Sequence, residues 1–184
     1  MQHARLTAGS LLLAIAVAGS AGATAAAPGA PSPVDGGRDV TAGAFCPDAQ
    51  EREFLRLINN YRASRSVGAL AFSATLGAAA DHHSRQMANQ NYFGHDLQGG
   101  VTWVENVVAH GYAFNTYKGE NIAAGRSTAA DTFTQWRNSP GHNANMLSSN
   151  FKAIGIGRAY NAASTYDSYW TAVFGGRVDA GPSC

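Results

Sequence analysis

The stretch 118–146, KGENIAAGRSTAADTFTQWRNSPGHNANM, decides the fold, because its polar residues meet the rest of the domain only if the chain folds back on itself. Near its start, Glu120 lies in a predicted loop that contains glycines, and a short amphipathic helix follows. Ser139 and Pro140 then form a helix start, with an N-cap residue before proline at the first helical position. The helix that begins there carries His142 in its first turn.

A third polar residue, His95, lies upstream in the segment NQNYFGHD, after an aromatic pair and Gly94. The glycine predicts a turn, which aims the imidazole into the domain rather than along a solvated helix face. The same argument applies to Glu120 after its glycine and to His142 after its proline. Because buried polar groups need partners, we predict that His95, Glu120 and His142 form one cleft cluster.

Composition indicates one globular domain with an N-terminal extension, since 45% of the 184 residues are apolar and 14% are charged. Arg5 is the single charged residue among the first 34, and the apolar run LLLAIAV precedes a stretch of small residues. This pattern is typical of a secretory signal peptide. A Pro-, Gly- and Ala-rich segment follows and cannot build a core. We predict a signal peptide at 1–25, a flexible linker at 26–45, a domain at 46–184, and secretion to the extracellular side.

Charge and cysteine usage narrow the class of partner. Without Arg5, 12 basic residues balance 12 acidic ones, so the basic stripe that nucleic acid requires is not expected. No polybasic or amphipathic segment predicts a stable membrane anchor, and we expect a monomer. Cys46 and Cys184 lie at the two ends of the domain, and in an exported chain they predict a disulfide worth about 4–5 kcal/mol in the chain-entropy model. The alternative is a pair of free thiols.

Apolar periodicity places helices before strands. Residues at i, i+3, i+4 and i+7 predict one helix after Pro47, another after Ser73 and a short third helix within 101–112. Four valines of the third helix are expected to face the core: Val101, Val104, Val107 and Val108. The segments FKAIGIGRAY and SYWTAVFGGRV are rich in β-branched and aromatic residues, which predicts a hairpin. Helices followed by strands indicate the α+β class.

The second helix contains the triplet Asp81-His82-His83. Consecutive helical positions point in different directions, so this triplet is not predicted to be a metal motif. His83 lies on the apolar stripe and is interpreted as a hydrogen-bonded core residue, whereas Asp81 and His82 are predicted to face outward. His110 is interpreted as structural, because a cation in the last turn complements the helix dipole.

Several motifs follow one another in an order that carries a resemblance: LRLINNYR, AADHHSRQMA, YFGH, GENIAAG, QWRNSPGHNANML and YWTAVFG. In this order the chain resembles the CAP superfamily of cysteine-rich secretory proteins, antigen 5 allergens and pathogenesis-related proteins, and in particular its bacterial SCP-like extracellular branch. The resemblance covers about residues 50–176. It implies a three-layer α-β-α sandwich with an open cleft on one face.

In eukaryotic members of that superfamily, the cleft carries two histidines and two glutamates, which in some cases hold a divalent metal. By position, His95 matches the first histidine and Glu120 matches the first glutamate. Ser139 stands where the second glutamate is expected, and Tyr169 stands where the second histidine is expected. The resemblance therefore implies half of that cluster, and His142 is what the bacterial branch offers in addition.

These residue types allow three kinds of chemistry. His95, His142 and Glu120 are a candidate ligand set for a zinc-like divalent metal, which takes neutral imidazoles and carboxylates. We favour a hydrogen-bonded polar cluster in which Glu120 fixes the histidine tautomers, so that no cofactor is required. Ser139 is disfavoured as a nucleophile, because capping explains it and no G-x-S-x-G elbow exposes it. Asn121 is interpreted as a cleft neighbour whose side chain satisfies backbone groups.

Two functions from different classes remain open. The first is a secreted binding module without catalytic residues, whose cleft takes a small apolar ligand such as a lipid or sterol, or a peptide. The second is a metal-assisted hydrolase that uses His95, Glu120 and His142, with Glu120 as general base. The missing half of the cluster favours the first, as does the superfamily, for which turnover is not an established trait. Three aromatic residues could line an apolar pocket, although their spacing is more typical of a core: Trp136, Tyr169 and Trp170.

Overall fold

A four-stranded sheet lies at the centre of the region that the computed structural model describes, residues 45–184. The predicted signal peptide and all of the predicted linker except Phe45 lie outside the described residues. The elements follow in this order: α1 (Ala49–Ser64), β1 (Ala71–Phe72), α2 (Ala74–Gln90), α3 (Trp103–Ala109), β2 (Lys118–Ala124), α4 (Ala129–Arg137), α5 (Pro140–Leu147), β3 (Ala153–Tyr160) and β4 (Ser168–Gly175). The predicted α+β class is confirmed.

Side-chain caps explain where the two long helices begin. Asp48 accepts a hydrogen bond from the Glu51 backbone, and the Glu51 side chain accepts one from the Asp48 backbone, which forms a capping box for α1. The hydroxyl of Ser73 accepts from the backbone of Leu76 at the start of α2. Both starts lie within two residues of their predicted positions.

The strand order in the sheet is β1-β3-β4-β2. β1 is parallel to β3, whereas β4 is antiparallel to both β3 and β2. The predicted β3–β4 hairpin is confirmed. The prediction of a loop around Glu120 was wrong, because Lys118–Ala124 is strand β2 at the edge of the sheet. Its glycine and polar residues hide the strand in the sequence, and pairing with a segment some fifty residues later supplies what local propensity does not.

Helices cover both faces of the sheet and give three layers. α2 and α3 lie on one face, where Leu76, Val107 and Val173 share a core. α1, α4 and α5 lie on the other face, around a core that includes Phe54 and Trp136. This is the α-β-α sandwich that the resemblance implies.

Two glycines let α2 lie directly on β3. A Cβ at Gly155 would come within 2.0 Å of the Leu76 backbone, and one at Gly157 within 2.2 Å of the Asp81 backbone. No side chain could yield there, because both obstructions are main-chain atoms. This close contact fixes the distance between α2 and the sheet, and with it the position of the polar residues on the next turn of α2.

The predicted disulfide is present between Cys46 and Cys184, which are 138 residues apart in sequence. Phe45 beside it is buried against Gly77 of α2, where a Cβ would overlap the phenyl ring. The disulfide therefore joins the two ends of the domain, and Phe45 packs the N-terminal end against α2. None of the helices within 45–184 has the length and hydrophobicity that crossing a bilayer requires.

Two predicted helix faces were wrong. Val101, Val104 and Val108 are exposed and only Val107 of the four valines is buried. Val101 precedes the N-cap of α3, and Val104 and Val108 lie one turn apart on its outer side. Asp81 is buried rather than outward-facing, since it forms an ion pair with Arg85 one turn further along α2.

Candidate functional site

Glu120 of β2 is the centre of a buried polar cluster on the α2 face of the sheet. Its side chain is 1% exposed, and each carboxylate oxygen contacts one histidine. Oε2 lies 2.9 Å from His83 Nδ1, and Oε1 lies 2.8 Å from His95 Nδ1. Both ring nitrogens donate, because a carboxylate only accepts. Glu120 therefore fixes the orientation of two imidazoles at once.

His83 is the member of this cluster that the sequence prediction did not include. Its side chain is fully buried on α2, as the core interpretation expected, but its partner is the carboxylate of Glu120. The second ring nitrogen, Nε2, lies 3.1 Å from the carbonyl oxygen of Gly94. The sequence does contain a signal for this contact. A histidine on an apolar stripe requires a buried hydrogen-bond partner, and Glu120 was already expected to be buried.

His95 is the exposed member of the cluster. Its side chain is 53% exposed, so its Nε2 edge faces the solvent while Nδ1 is held by Glu120. The hydrogen bond to Glu120 raises the pKa of His95 above its usual range, and the charge of that carboxylate acts in the same direction. Chemically, His95 is an oriented imidazole that can donate to or accept from a ligand at the domain surface.

His142 does not bond to either of the other two predicted cluster residues. It lies on α5, beside the opposite face of β2, with its ring 5.9 Å from the ring of Trp136. Burial holds its pKa below the usual range, and the charge of His95 adds to that effect. Its Nδ1 is buried and has no hydrogen-bond partner within residues 45–184. The structure thus joins His95 to Glu120 directly, whereas the side chain of His142 is not hydrogen-bonded to either of them.

Asn121 organises the α5 side of β2. Its Nδ2 donates to the carbonyl oxygen of His142 at 3.0 Å, and its Oδ1 accepts from Asn145 Nδ2 at 2.8 Å. Asn145 Nδ2 also lies 3.2 Å from the carbonyl oxygen of Glu120, and Trp136 Nε1 donates to that of Ile122 at 3.1 Å. These side chains cover carbonyls of an edge strand that would otherwise be open to pairing with another chain.

The remaining two predicted cleft residues make no side-chain hydrogen bond to the Glu120 cluster. Ser139 occupies the N-cap position of α5 but makes no side-chain cap hydrogen bond, so capping does not explain it as expected. It lines a pocket of about 380 Å³ with polar side chains of α4 and the preceding loop. Tyr169 is fully buried on β4, and its hydroxyl is without a hydrogen-bond partner in the described part of the chain.

These residues do not fit a divalent metal site. The two oxygens of Glu120 accept hydrogen bonds from His83 and His95, and the side chain of His142 on α5 makes no hydrogen bond to Glu120 or His95. Within 45–184, no group of three or more His, Cys, Asp and Glu side chains has an arrangement that could hold a metal ion. The ligand set His95, His142 and Glu120 is not brought together, and we derive no chemical step through a metal there.

Comparison with known proteins agrees with this fold. Residues 55–174 match the CAP family, described as the cysteine-rich secretory protein family. The chain belongs to this family. The match begins within α1 and ends within β4, and it therefore includes every residue of the Glu120 cluster.

Several bacterial proteins are similar to this CAP domain. YkwD of Bacillus subtilis (strain 168) is 30% identical over 148 residues, which are 80% of this chain and 55% of YkwD. An extracellular protein containing a SCP domain from Bacillus anthracis str. Ames is 28% identical, with a TM-score of 0.61, over 73% of this chain and 45% of that one. This chain thus spans about half the length of these two relatives. An outer surface protein from Borrelia burgdorferi, 20% identical with a TM-score of 0.63 over 73% of this chain and 98% of its own, shares the fold.

Proposed function

We propose that this chain is an extracellular CAP-family binding module that turns over no substrate. The observation that carries the proposal is the state of Glu120, whose two oxygens accept hydrogen bonds from His83 and His95. A general base needs a free lone pair within reach of the proton it removes. Each oxygen of Glu120 keeps a second lone pair, but the side chain is only 1% exposed, so a substrate does not reach it and the hydrolase alternative is left without an accessible base.

A peptide is the ligand class that suits the exposed groups around β2. His95 is 53% exposed and offers an oriented imidazole edge to a ligand. Close to His95, the rings of Phe93 and Tyr166 form an exposed edge-to-face pair with centroids 6.1 Å apart. Peptides combine hydrogen-bonding amides with apolar side chains, so they can use both kinds of contact.

A lipid or sterol has less support as the ligand. The aromatic residues that could have lined a deep apolar pocket, Trp136, Tyr169 and Trp170, are each 0–1% exposed and belong to the core. An extracellular location is supported by the signal-like N-terminal pattern and by the extracellular and outer surface relatives. We propose that the domain acts there as a monomer.

The test is a selection of random phage-displayed peptides on the mature protein, followed by calorimetry with the selected peptides. We expect His95→Ala to weaken their binding at least tenfold. Arg56→Ala is the matched control, because Arg56 lies on the exposed side of α1 in the opposite layer. Mass spectrometry should recover the peptides uncleaved. The proposal is contradicted if His95→Ala leaves the affinity for the selected peptides unchanged. It is also contradicted if the peptides are cleaved at a rate proportional to the protein concentration.

A further inference from the structure

Two histidines outside the cleft face each other across the contact between α2 and α3. His82 belongs to α2, and His110 is the C-cap residue of α3. Their ring centroids are 5.0 Å apart, and the ring planes are inclined by 39°. Both residues are half-buried, so part of each ring remains accessible to solvent.

Asn106 fixes the tautomer of His82. The Nδ2 atom of Asn106 donates to the carbonyl oxygen of Ala79 at 3.0 Å, which leaves its Oδ1 facing His82 Nδ1 at 2.7 Å. Because an amide oxygen only accepts, Nδ1 of His82 carries the proton. The neutral ring therefore has its lone pair on Nε2.

The backbone of the same residue fixes the tautomer of His110. His110 Nδ1 lies 2.8 Å from the carbonyl oxygen of Asn106, so this nitrogen also carries a proton and donates. The neutral ring of His110 again has its lone pair on Nε2. One asparagine thus presents two imidazoles in the same tautomer.

This arrangement is the one that metal-ligating histidines use. Such a histidine donates its other ring N–H to a carbonyl or carboxylate, which orients the ring and raises its basicity as a ligand. An ion about 2.0–2.1 Å from each of two neighbouring ligand nitrogens sets their ring centroids roughly 5 Å apart. Burial lowers the pKa of His82, which favours the neutral, ligating form of its ring.

One contact competes with an ion for this place. Gln86 Nε2 lies 3.3 Å from His82 Nε2, where an amide donor faces the lone pair. At that distance the hydrogen bond is weak, so an ion can displace it at small cost. The direction of the contact also agrees with a lone pair on Nε2.

We propose that His82 and His110 form an open site for a divalent transition-metal ion that prefers imidazole, of the Cu²⁺ or Zn²⁺ class. The ion is bound by the two Nε2 atoms, and water fills the other coordination positions. Since no three-residue ligand group exists within 45–184, the site is a two-ligand one. It shares no residue with the Glu120 cluster, although His83 of that cluster follows His82 in the chain. By the general order of affinities, Cu²⁺ binds more tightly than Zn²⁺.

The first test needs no variant. Mature protein without a polyhistidine tag is labelled with ¹⁵N, and Cu²⁺ is added at a few per cent of the protein concentration. We expect paramagnetic broadening to centre on the backbone amides around His82 and His110, within α2 and the end of α3. Broadening centred on His95 and His142 instead, or no saturable broadening, overturns the proposal.

The second test measures affinity by calorimetry with Cu²⁺ and Zn²⁺. We expect His82→Gln and His110→Gln each to weaken binding at least tenfold, while the double variant His95→Gln/His142→Gln, which removes the cleft imidazoles, binds within twofold of the wild type. Unchanged affinity in His110→Gln, or loss of binding in the cleft double variant, contradicts the assignment. Wild-type-like amide spectra away from the substituted residue serve as the folding control.

Discussion

Two neighbouring residues of β2, Glu120 and Asn121, organise opposite faces of the same edge strand by different chemistry. Glu120 faces α2 and holds two histidines with a buried charge, whereas Asn121 faces α5 and holds a backbone carbonyl and an amide with neutral hydrogen bonds. The charged side ends in an exposed imidazole, and the neutral side ends in a covered strand edge. The GEN motif therefore orients a surface on one face and closes the sheet on the other.

One short motif therefore orients two histidines on one face of the sheet and stabilises the strand edge on the other. The side chains of a strand alternate between the two faces of the sheet, so consecutive residues contact different layers of the sandwich. Hydrogen bonds to charged groups contribute about 1.5–3 kcal/mol each, and neutral ones about 0.5–1.5 kcal/mol. The two faces of β2 should accordingly respond differently to substitution and to pH.

The largest effect is expected at Arg62, which anchors the far end of the α5 layer. Its guanidinium is buried and donates to the carbonyl oxygens of Gly68, Met146, Ser148 and Phe151. Arg62→Met leaves these carbonyls without their donor and should lower the free energy of unfolding by about 3 kcal/mol or more. Urea unfolding measures this, with Arg56→Met on the exposed face of α1 as the matched control, for which no change in midpoint is expected. A loss below about 1 kcal/mol for Arg62→Met would show that solvent replaces the guanidinium.

The second prediction compares the two faces of β2 directly. Glu120→Ala removes the acceptor of the buried His83 and should cost about 2–3 kcal/mol, whereas Asn121→Ala should cost about 1 kcal/mol. Glu120→Gln keeps one acceptor oxygen and should lie between the wild type and Glu120→Ala. Thermal and urea unfolding of the three variants test the order. An Asn121→Ala loss as large as that of Glu120→Ala would break the comparison.

The third prediction concerns pH, because the pKa values of the two histidines beside β2 are shifted in opposite directions. The pKa of His95 is raised, so its contribution to stability is full below the unfolded value of about 6.5 and is lost as pH rises through the folded value. The pKa of His142 is lowered, so stability falls as pH drops below about 6.5 toward its folded value. NMR titration should order the two pKa values on either side of about 6.5. Equal midpoints for both rings contradict the proposed environments.

The same pH dependence can be assigned by variants. His95→Gln should remove the loss of stability above neutral pH, and His142→Gln should remove part of the loss on acidification. Urea midpoints measured from about pH 5 to about pH 8 check both, and a pH profile identical to the wild type in either variant rejects that assignment.

The smallest effect is expected at Ser139. Its hydroxyl makes no cap hydrogen bond, so Ser139→Ala should change the free energy of unfolding by no more than about 0.5 kcal/mol. Ser73→Ala is the matched control, because the Ser73 hydroxyl caps α2 and its loss should cost about 1 kcal/mol. If the two substitutions cost the same, Ser139 caps α5 in solution.

Several features followed from the sequence alone because their information is local. Asp48 and Ser73 lie next to apolar stripes of helical period and mark the beginnings of α1 and α2. β-Branched and aromatic runs on either side of a polar turn gave the β3–β4 hairpin. Two further features needed no knowledge of packing, because the order of the motifs indicated the CAP family and the only two cysteines of the sequence allowed one pairing within the chain.

Other features were decided only by the tertiary structure, because they depend on elements that are distant in sequence. Lys118–Ala124 is a strand because β4 pairs with it, and neither its composition nor its period indicates one. His83 reaches Glu120, and His82 reaches His110, because α2 lies closely on the sheet and against α3. Periodicity reports which face of an element is buried, but not which residue of another element it meets. That pairing is set by the packing of layers, and at this site it divides the predicted cluster between the two faces of β2.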